Sequence, residues 1–137
     1  MSMEFSDDVA IRLGGEQLIW LTTTKADGTP LPNPVWFLWN SGEFLVLTVP
    51  ESVKWKNMRR NPSVAFNFNS ISVDGSDVAI FQARANLDCV PMSDAEFQAY
   101  LTKYERGMER LGLTPDILKS GYQPVRFKLL KYRTVTG

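Results

Sequence analysis

The segment Thr48-Val-Pro-Glu-Ser-Val-Lys-Trp-Lys-Asn-Met-Arg-Arg-Asn-Pro62 contains the most informative pattern of the chain. It leads from the end of a strand into a short basic helix, whose first turn contains Ser52 and Lys54. Unpaired backbone N–H groups, the positive end of the helix dipole, a hydroxyl and an ammonium converge there, and together they favour phosphate binding. The hydroxyl of Thr48, at the strand end, is a further candidate ligand.

The same segment has a purely structural interpretation. Ser52 is a good helix N-cap, and the basic residues of the helix can form a solvated face. These basic residues are Lys54, Lys56, Arg59 and Arg60. The segment alone leaves both interpretations open.

Composition indicates one ordinary globular domain over residues 1–137. Of the 137 residues, 44% are hydrophobic and 22% are charged, which is enough for one buried core. Fifteen basic residues balance fifteen acidic ones, which argues against a general nucleic-acid-binding surface. The acidic start does not fit a signal peptide and no apolar run is long enough to span a membrane. We therefore expect a soluble, cytoplasmic protein.

The chain contains no histidine and one cysteine, Cys89. Without imidazole, the hydrolase triads and most zinc sites are excluded, and no cluster of thiols or carboxylates indicates another metal site. Cys89 lies in an apolar strand pattern, which is typical of a small core residue in a reducing compartment. No catalytic side chain is assigned, so a bound organic cofactor would supply the chemistry of an enzyme.

The pattern before the basic helix predicts one helix and three antiparallel strands. The helix begins at Ser6-Asp7-Asp8 and ends at Gly14-Gly15. Tight turns at Asp-Gly and Ser-Gly pairs separate the strands, which are expected to form a meander. The predicted strands cover residues 17–25, 31–39 and 43–49.

The pattern after the basic helix predicts further strands at 63–70, 77–90 and 125–135. Between the last two, a capping box at Ser93–Glu96 begins an amphipathic helix that continues to Leu111. A shorter helical turn follows Thr114-Pro115. Six antiparallel strands with few helices predict a mainly β fold, a closed or partly closed barrel with helices over its openings.

The strand Val35–Trp39 is apolar on both faces. One face can line the barrel, so the other face must be covered as well. A second copy of the chain is the expected cover, because 137 residues leave little other protein to shield it.

Several motifs occur together in a specific order. They are the Asp27-Gly28 turn, the strand Pro32–Phe37, Thr48 at a strand end, the Ser52-x-Lys54-x-x-Asn57 helix and Asn61-Pro62. Over about Leu18 to Leu87, this order resembles the pyridoxamine 5′-phosphate oxidase-like split β-barrel superfamily. It is most similar to the actinobacterial branch, whose members are thought to use the deazaflavin coenzyme F-420. The resemblance implies a six-stranded antiparallel split β-barrel, forming a homodimer with two cofactor sites at the subunit interface.

The resemblance also implies which residues contact the cofactor. Ser52 and Lys54 would hold its phosphate, with Thr48 beside them and Asn57 reinforcing the contact from the next helical turn. One strand would run along the tricyclic ring and offer mainly backbone groups. The residues of that strand are Pro32, Asn33, Pro34, Val35, Trp36 and Phe37.

Some positions carry alternatives or depart from the family pattern. Trp36 and Trp39 either contact the ring or pack in the core or the dimer. Val53 occupies a position where flavin-binding relatives usually have an arginine, which argues against flavin mononucleotide (FMN). Gln82 lies where relatives commonly have a glycine, and Arg84 is either a pocket cation or part of a surface ion pair.

These points lead to one main functional hypothesis. It is a coenzyme F-420-dependent oxidoreductase that passes hydride to a conjugated organic substrate, a reaction that needs no protein acid or base. The alternatives are a non-catalytic carrier of a deazaflavin or flavin, and an FMN-dependent enzyme similar to pyridoxamine-phosphate oxidase. The expected partners are a second copy of the chain and a small organic substrate, with neither nucleic acid nor membrane.

Overall fold

The computed structural model describes residues 4–75 and 77–134, which form one seven-stranded antiparallel sheet and five helices. The strands are β1 (Ile19–Thr24), β2 (Pro30–Val35), β3 (Leu38–Asn40), β4 (Glu43–Thr48), β5 (Ser63–Asn67), β6 (Ala79–Asn86) and β7 (Gln123–Thr134). The helices are α1 (Asp7–Gly15), α2 (Val53–Arg60), α3 (Asp94–Lys103), α4 (Glu105–Leu111) and α5 (Pro115–Gly121). The predicted fold class, mainly β with a few helices, is confirmed.

Strand order in the sheet is β2-β1-β5-β6-β7-β4-β3. The predicted single strand 31–39 is divided: β2 pairs with β1 and β3 pairs with β4, at opposite edges of the sheet. Trp36 and Phe37 join the two edges, so the sheet curls into an incompletely closed barrel. The predicted meander of three strands is therefore wrong, and the sheet has seven strands instead of six.

Phe37 lies at the crossing between the two edges, outside either strand ladder. Its backbone N–H donates to the Tyr104 hydroxyl over 2.8 Å, and its carbonyl accepts from Lys103 Nζ over 2.9 Å. The Tyr104 hydroxyl also lies 2.9 Å from that carbonyl and 2.8 Å from the carbonyl of Gln17, and it donates to one of them at a time. Burial raises the pKa of Tyr104, so the hydroxyl keeps its proton, and burial lowers the pKa of Lys103 to about 8.

The outer face of the crossing is covered by the chain's own helices. The Trp36 ring stacks on Tyr104 with a centroid distance of 4.5 Å and an interplanar angle of 7°. Leu38 and Leu45 share a buried cluster with Tyr100 and other residues of α3 to α5. The chain's own helices therefore supply part of the cover that was expected from a second copy, Trp36 stays half-buried, and the homodimer stays a prediction.

The predicted helix from the Ser93–Glu96 capping box to Leu111 is two helices that meet at Tyr104. Glu96 completes the box and also receives two hydrogen bonds from Arg126 of β7, at 2.7 and 2.8 Å. The Arg126 guanidinium lowers the pKa of Glu96 to about 2, so the pair stays charged at neutral pH. This pair, 8% and 9% exposed, attaches the start of α3 to the sheet.

The remaining predicted elements are close to their expected positions. Ser6 caps α1, and the last strand extends to Thr134. The predicted end of that strand at Val135 lies outside the described residues. Asn61 ends α2, and the following strand places Phe66 in the core as its alternation predicts.

The close approach of α4 to Trp36 predicts an unusual effect at Gly107. Replacing a glycine inside a helix by alanine normally stabilises a protein by about 1 kcal/mol. A Cβ atom at Gly107 would lie 2.7 Å from Cζ2 of Trp36, so Gly107→Ala should instead lower the free energy of unfolding by about 1–3 kcal/mol. Denaturant unfolding measures this, with Gly14→Ala as the control, because a Cβ there meets nothing within 4 Å. A Gly107→Ala protein as stable as the control would contradict the packing described here.

Candidate functional site

The predicted anion site is built from the end of β4, a tight turn and the start of α2. Ser52 is the N-cap of α2, and its Oγ accepts a 3.4 Å hydrogen bond from the N–H of Trp55. Capping therefore takes place, but it uses only an acceptor of Ser52, and the hydroxyl proton stays free to bind an anion. Of the five described helices, α2 alone has no acidic residue in its first turn. No carboxylate of that turn compensates the helix dipole, and the nearest one along the chain, Glu51 before the cap, is paired with Arg59.

Lys54 supplies the positive charge nearest to this helix end. Its side chain is half-buried, and burial lowers its pKa. No ion pair to Lys54 forms within residues 4–75 and 77–134. An anion bound beside it would offset the loss of hydration and restore the usual pKa.

Thr48 precedes the turn and is only 1% exposed. Its Oγ1 has no hydrogen-bond partner, and the buried indole Nε1 of Trp55 in α2 has none either. Such unpaired buried polar atoms are uncommon because each costs about 1–3 kcal/mol. The one at Thr48 lies four residues before the Ser52 cap, where a ligand or water could complete the structure.

Asn57 has a different environment from the one predicted for it. Its side chain is buried, and Nδ2 donates a 3.1 Å hydrogen bond to Oγ1 of Thr23 in β1. Its Oδ1 accepts a 3.4 Å hydrogen bond from Arg60. The amide thus joins α2 to β1. Sequence reasoning missed Thr23, although it shares the buried face of β1 with Leu21.

The predicted ring-binding strand forms the edge strand β2 and the crossing after it. Prolines at 30, 32 and 34 lack an N–H, so pairing with β1 must use the intervening residues, which include Asn33 opposite Leu21 and Val35 opposite Ile19. The free edge therefore presents the carbonyls of the prolines and no N–H group. Backbone groups of Asn33 and Val35, expected to face the ring, are instead directed at β1.

Of the two residues of the crossing, Phe37 is buried and Trp36 is half-buried. Trp36 is stacked on Tyr104, and Phe37 is fully buried with both backbone groups bonded. Trp39 packs edge-on against Phe44 at a centroid distance of 4.8 Å. In the described chain, Trp36 and Trp39 therefore pack against other aromatic side chains, as one of the two alternatives predicts. As cofactor ligands, all ten residues named from the sequence stay predictions.

Gln82, one of the positions that depart from the family pattern, and Arg84 both lie on the exposed outer face of β6. Gln82 is next to a β-bulge in the pairing with β7, and Arg84 lies opposite Ser63 of β5. Arg84 forms no ion pair with any residue that the structure describes. Its predicted surface ion pair is therefore absent from that part of the chain.

Four cavities in the described chain lie away from the predicted anion site. The largest of the four, of about 500 Å³, lies between α1 and the loop that contains Ile71 and Ser72. The others are lined mainly by α3 to α5 and the strands beneath them. Ser52 and Lys54 line none of these cavities, so the β4–α2 site is a polar surface site and not an enclosed pocket.

Two classes of site are not found. Among residues 4–75 and 77–134, no group of three or more Cys, Asp or Glu side chains is placed to hold a metal ion. No helix within these ranges is both long and apolar enough to cross a membrane.

Comparison with known proteins agrees with the split-barrel geometry. The family model of pyridoxamine 5′-phosphate oxidase matches residues 5–132. The chain belongs to this family, and its curled sheet is a split β-barrel of the pyridoxamine 5′-phosphate oxidase-like class. A sequence search of curated proteins finds no match.

Solved structures with low sequence identity share the fold. A conserved hypothetical protein from Mycobacterium tuberculosis is 19% identical with a TM-score of 0.72, covering 97% of this chain and 86% of that one. A putative pyridoxamine 5′-phosphate oxidase from Listeria innocua is 18% identical with a TM-score of 0.68, covering 96% and 98%. A protein described as an F420 reductase is 21% identical with a TM-score of 0.61, covering 88% and 92%. At these identities the similarity shows the fold alone.

The unpaired hydroxyl of Thr48 predicts a gain in stability when it is removed. Thr48→Val keeps the shape of the side chain and removes a buried polar atom that has no partner. The ligand-free protein should therefore gain about 1 kcal/mol in its free energy of unfolding, as measured with denaturant. Thr22→Val is the control, since Thr22 is half-buried on the outer face of β1. A loss of stability specific to Thr48→Val would mean that the hydroxyl already has a partner.

Proposed function

We propose that the chain binds coenzyme F-420 at the β4–α2 site and acts as a deazaflavin-dependent oxidoreductase. The observation that carries the proposal is the combination of an unpaired buried Thr48 hydroxyl, the Ser52 cap and the half-buried Lys54 at a helix start without acidic residues. This donor set suits the phosphate of a nucleotide-like cofactor.

The surroundings of Lys54 favour a deazaflavin over FMN. Val53, the first residue of α2, is apolar and 61% exposed, so it adds no donor to the site. A single ammonium at the helix start fits a singly charged phosphodiester, such as the one in coenzyme F-420, better than a doubly charged phosphomonoester. The similarity to a protein described as an F420 reductase agrees with this choice but establishes only a common fold.

In this proposal the residues of the chain bind and orient rather than react. Ser52 and Thr48 donate hydroxyl protons to phosphate oxygens, and Lys54 supplies the charge. The carbonyls on the free edge of β2, from Pro32 and Pro34, are available to N–H or O–H donors of the cofactor. When bound, the reduced deazaflavin would supply the hydride, and solvent would supply any proton that the product requires.

A non-catalytic carrier of a deazaflavin or flavin is the second candidate function. Structures of the same fold include a haem storage protein from Vibrio cholerae and an FAD-binding protein from Mesorhizobium loti. Because the chain has no histidine, it does not offer the commonest haem ligand. An FMN-dependent oxidase is the third candidate, and Val53 counts against it.

We also propose that two copies form a cytoplasmic homodimer through the outer face of β1 and β2. This face carries the half-buried Trp20 and Thr22 beside the exposed Pro32 and Pro34, away from the cluster of α3 to α5. A partner there would approach β2, where the ring-binding residues were predicted.

Light scattering tests this proposal. The purified protein should have twice the 15.5 kDa mass of one chain. Thr22→Arg, placed in the middle of the proposed contact, should shift the protein toward the mass of one chain. Gln98→Arg, exposed on α3 away from the proposed contact, serves as a control for added surface charge. A wild-type protein with the mass of a single chain would contradict the dimer.

Removing the phosphate ligands should weaken cofactor binding. The Ser52→Ala, Lys54→Ala double variant should bind coenzyme F-420 at least about tenfold more weakly, equivalent to about 1.4 kcal/mol, because it loses a hydroxyl and a charge. Quenching of tryptophan fluorescence measures the affinity, and circular dichroism checks the fold. Lys56→Ala is the matched control, because Lys56 lies exposed on the same helix. Equal affinity of the double variant and the control would place the phosphate elsewhere.

The same proteins separate the reductase from the carrier. With reduced coenzyme F-420 and a panel of conjugated acceptors, a reductase should accelerate oxidation of the deazaflavin, and the double variant should lose this activity. Tight binding without acceleration by any acceptor would favour the carrier. Binding of FMN in preference to F-420 would favour the third candidate.

A further inference from the structure

Glu51 lies in an unusual backbone conformation immediately before the Ser52 cap. Its φ is +66°, in the left-handed region, which costs most L-residues about 1 kcal/mol and favours glycine. Pro50 and Glu51 occupy the centre of the turn closed by the hydrogen bond from the Ser52 N–H to the Val49 carbonyl, over 3.2 Å. A glycine would avoid this backbone cost, and the chain has glutamate there instead.

The Glu51 carboxylate pairs with an arginine of the same helix. Its Oε1 lies 3.0 Å from Nη2 of Arg59, whose guanidinium also lies over the Trp55 ring at 5.8 Å from the centroid. Both members of the ion pair are more than half exposed, so the pair contributes little to stability. Its main effect is on charge, because Glu51 neutralises Arg59, a residue of the last turn of α2 whose guanidinium reaches back to the turn before the helix.

We infer that Glu51 is a specificity-determining residue that selects a singly charged phosphodiester over a doubly charged phosphomonoester. The inference rests on the proposed cofactor site. With Arg59 neutralised and Val53 apolar, Lys54 is the principal cation that faces the helix start. A negative charge at Glu51 repels a dianion about twice as strongly as a monoanion at the same place. Glu51 therefore weakens the binding of both esters, and it weakens phosphomonoester binding by about twice the free energy.

The test compares two ligands that share one ring and differ in phosphate charge. They are the 5′-phosphate of the F-420 deazaflavin nucleoside and its methyl diester, titrated by fluorescence at low salt. Wild-type protein should bind the diester more tightly. Glu51→Gln keeps the size of the side chain but removes its charge. It should reduce the diester preference about two- to threefold, because it strengthens monoester binding more than diester binding. This change should shrink at high salt, because salt screens exposed charges.

Two further variants separate charge from backbone strain. Glu51→Gly should change the preference as Glu51→Gln does and should also be more thermostable, because it relieves the positive φ. Arg59→Gln leaves the Glu51 charge uncompensated and should increase the diester preference. An unchanged preference in Glu51→Gln, or a wild-type preference for the monoester, would overturn the inference while both ligands still bind. If Lys54→Ala bound both ligands as tightly as the wild-type protein, the proposed site itself would be overturned.

Discussion

The crossing at Trp36 and Phe37 is the constraint on which the rest of the structure depends. The chain passes there from one edge of the sheet to the other, and Phe37 leaves both ladders with its N–H and carbonyl unpaired. Buried backbone groups require partners, and the Tyr104 hydroxyl and Lys103 ammonium provide them. Because Tyr104 lies where α3 meets α4, this one contact both curls the sheet and holds the helices against its outer face.

The candidate site, at the end of β4 and the start of α2, combines three features that lower the stability of the chain. Thr48 buries a hydroxyl without a partner, Lys54 is partly desolvated, and Glu51 holds a conformation that suits glycine. Each feature is unfavourable in the chain alone. In the proposed site, a bound phosphate would satisfy Thr48 and Lys54, and the Glu51 carboxylate would adjust which phosphate is accepted. Local rules of stability are commonly broken at functional sites in this way.

Local patterns predicted much of the fold and the start of the site. The cap at Ser6, the capping box at Ser93 and the cap at Ser52 each depend on residues within one helical turn, so their spacing is visible in the sequence. The division of the segment 31–39 was not predictable in this way. Its apolar residues read as one strand, and the hydroxyl that bonds Phe37 belongs to a residue 67 positions later.

The sequence by itself determined the mainly β class, the order of the elements and a basic helix capped by Ser52, because these follow from short-range periodicity and capping. Only the tertiary structure decided that Asn57 binds Thr23. It also decided that the chain's own helices cover Trp36, and that the hydroxyl of Thr48 is left unpaired. These features depend on which distant elements meet, and neither periodicity nor local spacing specifies that.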